Sequence, residues 1–260
     1  MAVANLLTLG ETRLETRHVG PPPSEAPTLV LLHEGLGCVA LWKDFPERLA
    51  AATGWGVFAW SRQGYGGSSP CALPRPLTYM QDEARDVLPR LFDAIGLQRA
   101  VLLGHSDGGS IAAAYAGMYP EDPRIAGLIL HAPHFFTEPQ CVAAIDAATA
   151  AFTTGDLRAR LARYHGDNVD CAFHGWSDAW RDPGFLDFDL RPFLPSVRVP
   201  VQMVQGTNDP YGTLAQVRVL QAHCGAPVDE VLLDCGHAPF KEAPDAVLAA
   251  SVRFVSALGG

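Results

Sequence analysis

Short apolar runs alternate along the chain with longer stretches in which apolar positions recur every three or four residues. The runs Thr28 to His33 (TLVLLH), Gly56 to Trp60, Arg99 to Leu103, Ile125 to His131, Val199 to Gln205 and Val228 to Leu233 are β-rich and bounded by Gly, Pro or Asp, and they predict six strands. Between them Trp42 to Ala52, Thr78 to Ile95, Ser106 to Met118, Leu214 to Cys224 and Ala243 to Leu258 predict helices. Leu77, Met80, Ala84, Val87, Leu88, Leu91 and Ile95 form a stripe that one helix face turns toward a sheet. Such alternation is the pattern of an α/β protein: a mostly parallel, doubly wound sheet with helices on both faces. The first twenty residues predict a leading hairpin, and Pro21 to Pro23 with Pro27 a turn into the sheet.

One connection breaks this rhythm. Ala132 to Ser196 spans 65 residues, far beyond a crossover made of one helix and loops of ~2 to 6 residues. Helical stretches at Gln140 to Phe152, Leu157 to His165 and near Val169 to Trp180 predict an inserted subdomain, so the division expected is residues 1–133 and 196–260 for the core and 134–195 for a small helical lid. The insertion leaves and rejoins the sheet at carboxyl-end loops, where open α/β sheets place ligands. It carries Phe173, Trp176, Trp180 and Phe185, with His134, Phe135 and Phe136 at its entry, a set able to line an apolar pocket.

The strongest local signal is Gly104-His105-Ser106-Asp107-Gly108-Gly109, directly after a predicted strand and before the small-residue helix SIAAAYAGM. A strand that turns sharply into a helix strains the residue at the turn and crowds its neighbours, which favours glycine two before and two after it. Ser106 thus sits at a nucleophile elbow. A serine hydroxyl is a weak nucleophile at neutral pH and needs a base, itself oriented by a third group. Downstream strand ends offer Asp209, in Gly206-Thr-Asn-Asp209-Pro-Tyr-Gly, and His237, in Cys235-Gly-His237-Ala-Pro-Phe; Asp234 is the alternative acid.

With His33-Glu-Gly-Leu-Gly37 and Ser61-Arg-Gln-Gly-Tyr-Gly-Gly-Ser68 added in order, the chain resembles the α/β-hydrolase superfamily over nearly its whole length. The resemblance implies an α/β-hydrolase fold, Ser106 as nucleophile, His237 as general base and then acid, and Asp209 as orienting carboxylate. Donors for a developing oxyanion are expected from the Asp107 amide and the loop after the first core strand, where either Gly35 or Glu34 supplies the second N–H. The family usually reads His-Gly there, and this chain reads His33-Glu34-Gly35. The Ser-Asp-Gly-Gly turn is similar to that of valacyclovir hydrolase-like enzymes, where the resemblance implies an acidic residue that reads a substrate amino group. Asp107 or Glu34 is the candidate here, giving an acidic pocket mouth; the other reading leaves Asp107 solvated or pairs it with Arg62 or another internal cation. His33, His105, His134, Phe135, Trp176 and Trp180 complete the expected substrate-binding set.

Composition narrows the partners. With 48% hydrophobic and 18% charged residues the 260-residue chain builds a sizeable core. A formal net charge of -9 disfavours nucleic acid and anionic membrane surfaces. The start MAVANLLTLGETRLETRHVG lacks the charge and apolar pattern of an export signal, and the six scattered cysteines contain no Cys-x-x-Cys pair, so a cytoplasmic protein with reduced thiols is expected. His131 and His134 lack a third ligand at suitable spacing, so no metal is expected. Gly35-Leu-Gly37-Cys-Val-Ala40 fits a dinucleotide fingerprint, but Trp60-Ser61-Arg62 stands where the fingerprint expects an acid. The expectation is therefore a cofactor-free serine hydrolase that cleaves an ester or related carbonyl substrate. Thioesterase, amidase and carbon-carbon hydrolase chemistry use the same groups, and a non-turnover small-molecule receptor is the alternative of another class.

Overall fold

A computed structural model describes residues 5–259. Eight strands form one sheet: β1 (Asn5–Leu9), β2 (Thr12–Val19), β3 (Thr28–Leu32), β4 (Gly56–Trp60), β5 (Ala100–His105), β6 (Ile125–His131), β7 (Val201–Gly206) and β8 (Val228–Leu233). Their order across the sheet is β1-β2-β4-β3-β5-β6-β7-β8. The leading hairpin pairs antiparallel with β4, and the pairings from β4 to β8 are parallel. The six strands expected from apolar runs are present, and the hairpin adds two. Its residues 1–4 lie outside the described range.

Side chains alternate in and out along each strand, and here both faces are covered. Val30, Leu32, Phe58, Trp60, Leu102, Leu128, Leu130 and Met203 enter the larger core, while Leu29, Leu31, Val57, Ala59, Val101, Leu103, Ile129 and Val204 enter the smaller one. The smaller core closes under α1 (Phe45–Thr53), α9 (Pro239–Glu242) and α10 (Pro244–Ala257). The larger one closes under α2 (Tyr79–Asp82), α3 (Leu88–Ala94), α4 (Asp107–Met118) and α8 (Leu214–His223). β8, at the sheet edge, is only half covered.

Two predicted helices start or run differently. The stretch from Trp42 becomes a 3-10 turn at Val39–Trp42, and α1 begins only at Phe45, after Lys43 adopts a φ of 55° and with proline in the first turn. The long helix from Thr78 contains a π-helical turn at Glu83–Val87. Pro89 has no N–H to give to the preceding turn, and the Tyr119 hydroxyl donates to the Arg85 carbonyl instead (2.9 Å).

Between β6 and β7 the chain forms α5 (Pro139–Thr154), α6 (Leu157–His165), α7 (Val169–Arg181) and three 3-10 segments. Phe152, Phe173, Trp176, Trp180 and Phe185 make these helices continuous with the larger core. Glu138 fastens the insertion to the loop after β7, accepting from the Thr213 amide (3.0 Å), the Thr213 hydroxyl (2.6 Å) and Gln216 (2.7 Å). The central strand supports the whole assembly: Leu102→Ala in β5 is expected to cost about 2–5 kcal/mol, read as a lower urea midpoint at unchanged slope.

Candidate active site

β5 ends at His105, and α4 begins at Asp107, leaving Ser106 alone at the turn with φ 52° and ψ −119°. A non-glycine residue in that conformation is strained and needs enforcement by its surroundings. The enforcement is steric. A Cβ on Gly104 would collide with the Gly108 carbonyl, and one on Gly108 with the Leu32 carbonyl. Only glycine lets the first turn of α4 lie directly on the ends of β3 and β5. The Ser106 amide donates to the His131 carbonyl (2.8 Å), which ties the turn to β6.

Three loops at the carboxyl ends of β5, β7 and β8 bring Ser106, Asp209 and His237 together. The Ser106 hydroxyl lies 3.0 Å from His237 Nε2, and His237 Nδ1 lies 2.9 and 2.8 Å from the two Asp209 oxygens. With Nδ1–H donating to the carboxylate, Nε2 is free to accept from the hydroxyl. Burial alone would raise the Asp209 carboxyl, but His237 and the amides of Tyr211 (2.8 Å) and Gly212 (3.2 Å) hold it below the ordinary carboxylate range. Gln205 also donates to it (2.8 Å). Asp234, the alternative acid, instead accepts from Asn208 (2.7 Å) away from this chain of bonds.

A cavity of about 100 Å³ opens above Ser106. Glu34, Gly35, Leu36, His134, Trp176 and Trp180 are among its walls, with Cys141, Ile145 and Tyr211 closing it. Trp176 lies so tightly on Gly35 that any Cβ there would strike the indole. His134 is buried and held by Ser110, its carbonyl accepting from the hydroxyl (2.8 Å) and its amide donating to it (2.9 Å). Burial, followed by the neighbouring His237, lowers its imidazole to about 3, so its ring is neutral.

Three members of the expected binding set do not line this cavity. His33 lies beneath the loop, its Nδ1 donating to the Glu34 carbonyl (2.7 Å) and its Nε2 accepting from the Arg62 amide (3.0 Å). His105 points behind the elbow, where Nε2 donates to the His237 carbonyl (2.7 Å). Phe135 is fully buried in the core. Each adjoins a true wall residue in sequence, and the turn of the backbone sends alternate side chains to opposite sides.

Both acidic residues expected at the mouth, Glu34 and Asp107, border the cavity. Asp107 is fully buried; burial raises its carboxyl, opposed by Arg62 at 3.7 Å, by the Tyr79 hydroxyl donating at 2.6 Å and by Trp180. The Trp180 indole in turn donates to the Tyr79 oxygen (3.0 Å). Glu34 borders the cavity with its charge compensated. Burial would raise its carboxyl, but Lys241 at 3.4 Å and His105 at 3.5 Å hold it low. Tyr79 was not assigned a role by the sequence, and neither was Glu242, whose carboxylate accepts from the Gly236 (2.7 Å) and Ala238 (3.0 Å) amides on either side of His237. Glu242 follows His237 by five residues, but no pattern in one sequence marks it as a brace.

Among the described residues, no group of three or more His, Cys, Asp or Glu side chains is placed to hold a metal ion. No helix there is long and apolar enough to cross a membrane. The profile of the alpha/beta hydrolase family matches residues 29–250. An enol-lactonase from Burkholderia xenovorans LB400 superposes over 97% of this chain and 100% of its own, with a TM-score of 0.71 and 26% identity. An esterase from Exiguobacterium antarcticum shares the fold over 98% of this chain and 100% of its own, with a TM-score of 0.76 and 19% identity. A human (lyso)-N-acylphosphatidylethanolamine lipase is 32% identical over 126 residues, which are 48% of this chain and 36% of the lipase. An epoxide hydrolase B from Mycobacterium tuberculosis is 29% identical over 129 residues, 49% of this chain and 34% of that one. The match thus spans about a third of the length of these curated relatives. With its sheet order, its strained serine turn and a family profile covering most of its length, the chain belongs to the alpha/beta hydrolase family.

Proposed function

We propose that the protein is a serine hydrolase that cleaves small, uncharged esters through a covalent acyl-Ser106 intermediate. The observation that carries this reading is the unbroken chain of hydrogen bonds from Ser106 through His237 to Asp209 at the floor of the cavity. His237 Nε2 takes the hydroxyl proton as Oγ attacks the substrate carbonyl, and the Asp209 carboxylate stabilises the imidazolium that forms. As the tetrahedral intermediate collapses, the imidazolium gives its proton to the departing alkoxide. Water, activated by the same ring, then attacks the acyl carbonyl and restores the hydroxyl.

The oxyanion requires N–H groups aimed at it. The Asp107 amide stands at the start of α4, where helix amides have no partner within the helix. For the second donor, the Glu34 carbonyl accepts from His33 Nδ1, Arg62 Nη2 (3.1 Å) and the Gly37 amide (3.0 Å). A trans peptide sets N–H opposite C=O, which supports the Gly35 amide, a cavity-wall group, as that donor. The insertion would then act as a lid, with Trp176 resting on the donor loop.

A space of about 100 Å³ is smaller than the ~150 Å³ apolar cavity that holds benzene, which favours a short acyl group or a compact ring. Neutral His134 and compensated Glu34 offer no free charge to a charged acyl part. A lactone is an ester closed on itself and passes through the same steps, so lactones belong to the substrate class.

Four outcomes test the reading. A small fluorophosphonate should label one serine per chain, and Ser106→Ala should lose the label while keeping its far-UV circular dichroism; an unlabelled native protein would move the assignment to a receptor. Asp209→Asn should lower kcat by about 10⁴ through the wrong His237 tautomer. Asp107→Asn should reduce turnover of amine-bearing and neutral esters by the same factor, and a loss confined to the amine-bearing set would make this carboxylate a substrate reader. Trp176→Ala should move the best acyl chain to greater length in a p-nitrophenyl ester series.

A further inference from the structure

The insertion docks on the core through an interface separate from the catalytic groups. The loop at residues 61–78, between β4 and α2, is held to the leading hairpin by Ser69, whose amide donates to the Arg13 carbonyl (2.8 Å), and by Ser68, whose hydroxyl accepts from the Glu15 amide (2.9 Å). The insertion grips the same loop: Asn168 donates to the Gly66 (3.0 Å) and Ser68 (2.7 Å) carbonyls, and His165 Nδ1 accepts from the Gly66 amide (3.0 Å). At the far end of this seam stand two free, half-buried cysteines, Cys71 from the loop and Cys171 from α7, with their sulfurs 3.0 Å apart. The Arg75 guanidinium and both sulfurs converge on one point, the space beside Gly64 that a Cβ would fill. A hundred residues of sequence separate the two thiols, so no spacing motif announces them.

We propose that Cys71 and Cys171 are a redox-active dithiol that low-molecular-weight disulfides close into a disulfide, fixing α7 to the core loop. Thiol-disulfide exchange needs a thiolate within reach of a mixed disulfide, and a partner thiol at contact distance resolves that intermediate without rearrangement. Two S–H bonds break and one S–S bond forms. The two electrons and two protons pass to the oxidant, which leaves as two thiols. Burial pushes the Cys71 thiol up to about 11, with Arg75 opposing, so little thiolate is present at neutral pH and exchange is slow. The consequence for catalysis rests on the hydrolase reading: α7 also carries Trp176 and Trp180, and pinning it restricts the movement by which a larger substrate enters.

The test uses the full chain incubated with oxidised glutathione. Expected are a mass lower by two hydrogens, one cross-linked peptide pair containing Cys71 and Cys171, a melting temperature raised by roughly 5 to 10 °C, and severalfold slower labelling of Ser106 by a bulky fluorophosphonate. Dithiothreitol should reverse all four. Cys71→Ser and Cys171→Ser, each tested alone, should abolish the cross-link and the melting shift while leaving the labelling rate of the reduced protein intact. Cross-links through other cysteines, no cross-link, or a cross-linked form with unchanged melting and labelling would overturn the proposal. If no form is labelled, the hydrolase reading fails, and mass and melting temperature still decide the dithiol.

Discussion

The site depends on one steric constraint, the contact of the first turn of α4 with the ends of β3 and β5. Gly104 and Gly108 let backbone touch backbone there, and the contact leaves Ser106 no conformation except the strained one. Strain of this kind costs of order 1–3 kcal/mol, and the fully buried strands on either side supply the rigidity that holds it. The hydroxyl is thereby presented above the sheet rather than folded into the helix. The His237 loop, the Asp209 loop and the Gly35 loop arrive around it from other strand ends of the same sheet edge.

A second interaction links the insertion to that turn. Arg62 and Asp107 are buried opposite charges, and burial of such a pair is tolerated only with further hydrogen bonds. Arg62 meets the His33 and Glu34 carbonyls and Asp107 meets Tyr79, which also accepts from Trp180 of α7. The loop beneath the cavity, the elbow and the cavity roof are thus one polar network. The Asp107 carboxylate is part of this frame through Tyr79 and Arg62.

The fold was legible because uninterrupted apolar runs and helical stripes are local signals, and Ser106, Asp209 and His237 were legible because each follows a strand end. The limits of sequence reading have physical causes. Whether Asp107 meets Arg62 or solvent depends on which way one carboxylate rotates, and Tyr79, which decides it, lies on another element. His33, His105 and Phe135 share the composition of pocket residues, and only the path of the backbone separates them from Glu34, Ser106 and His134. The π-helical turn at Glu83–Val87 needed the Tyr119 hydroxyl as a partner for a freed carbonyl, and Cys71 needed α7; both are contacts between distant segments.

These arrangements converge on an electrostatic condition. At the cavity His134 is neutral, and Glu34 is compensated by Lys241 and Asp209 by His237 and two amides. The walls are otherwise apolar and the space is small, so little water remains to screen a charge. In the proposed reaction a substrate carbonyl would enter such a site without meeting an uncompensated charge, and the first such charge to arise would be the oxyanion of the tetrahedral intermediate. Fixed amide dipoles act on that charge more strongly here than they would in water. On that proposal, compensation of the surrounding groups would be part of the chemistry, since a free carboxylate at Glu34 would repel the same oxyanion that the amides attract.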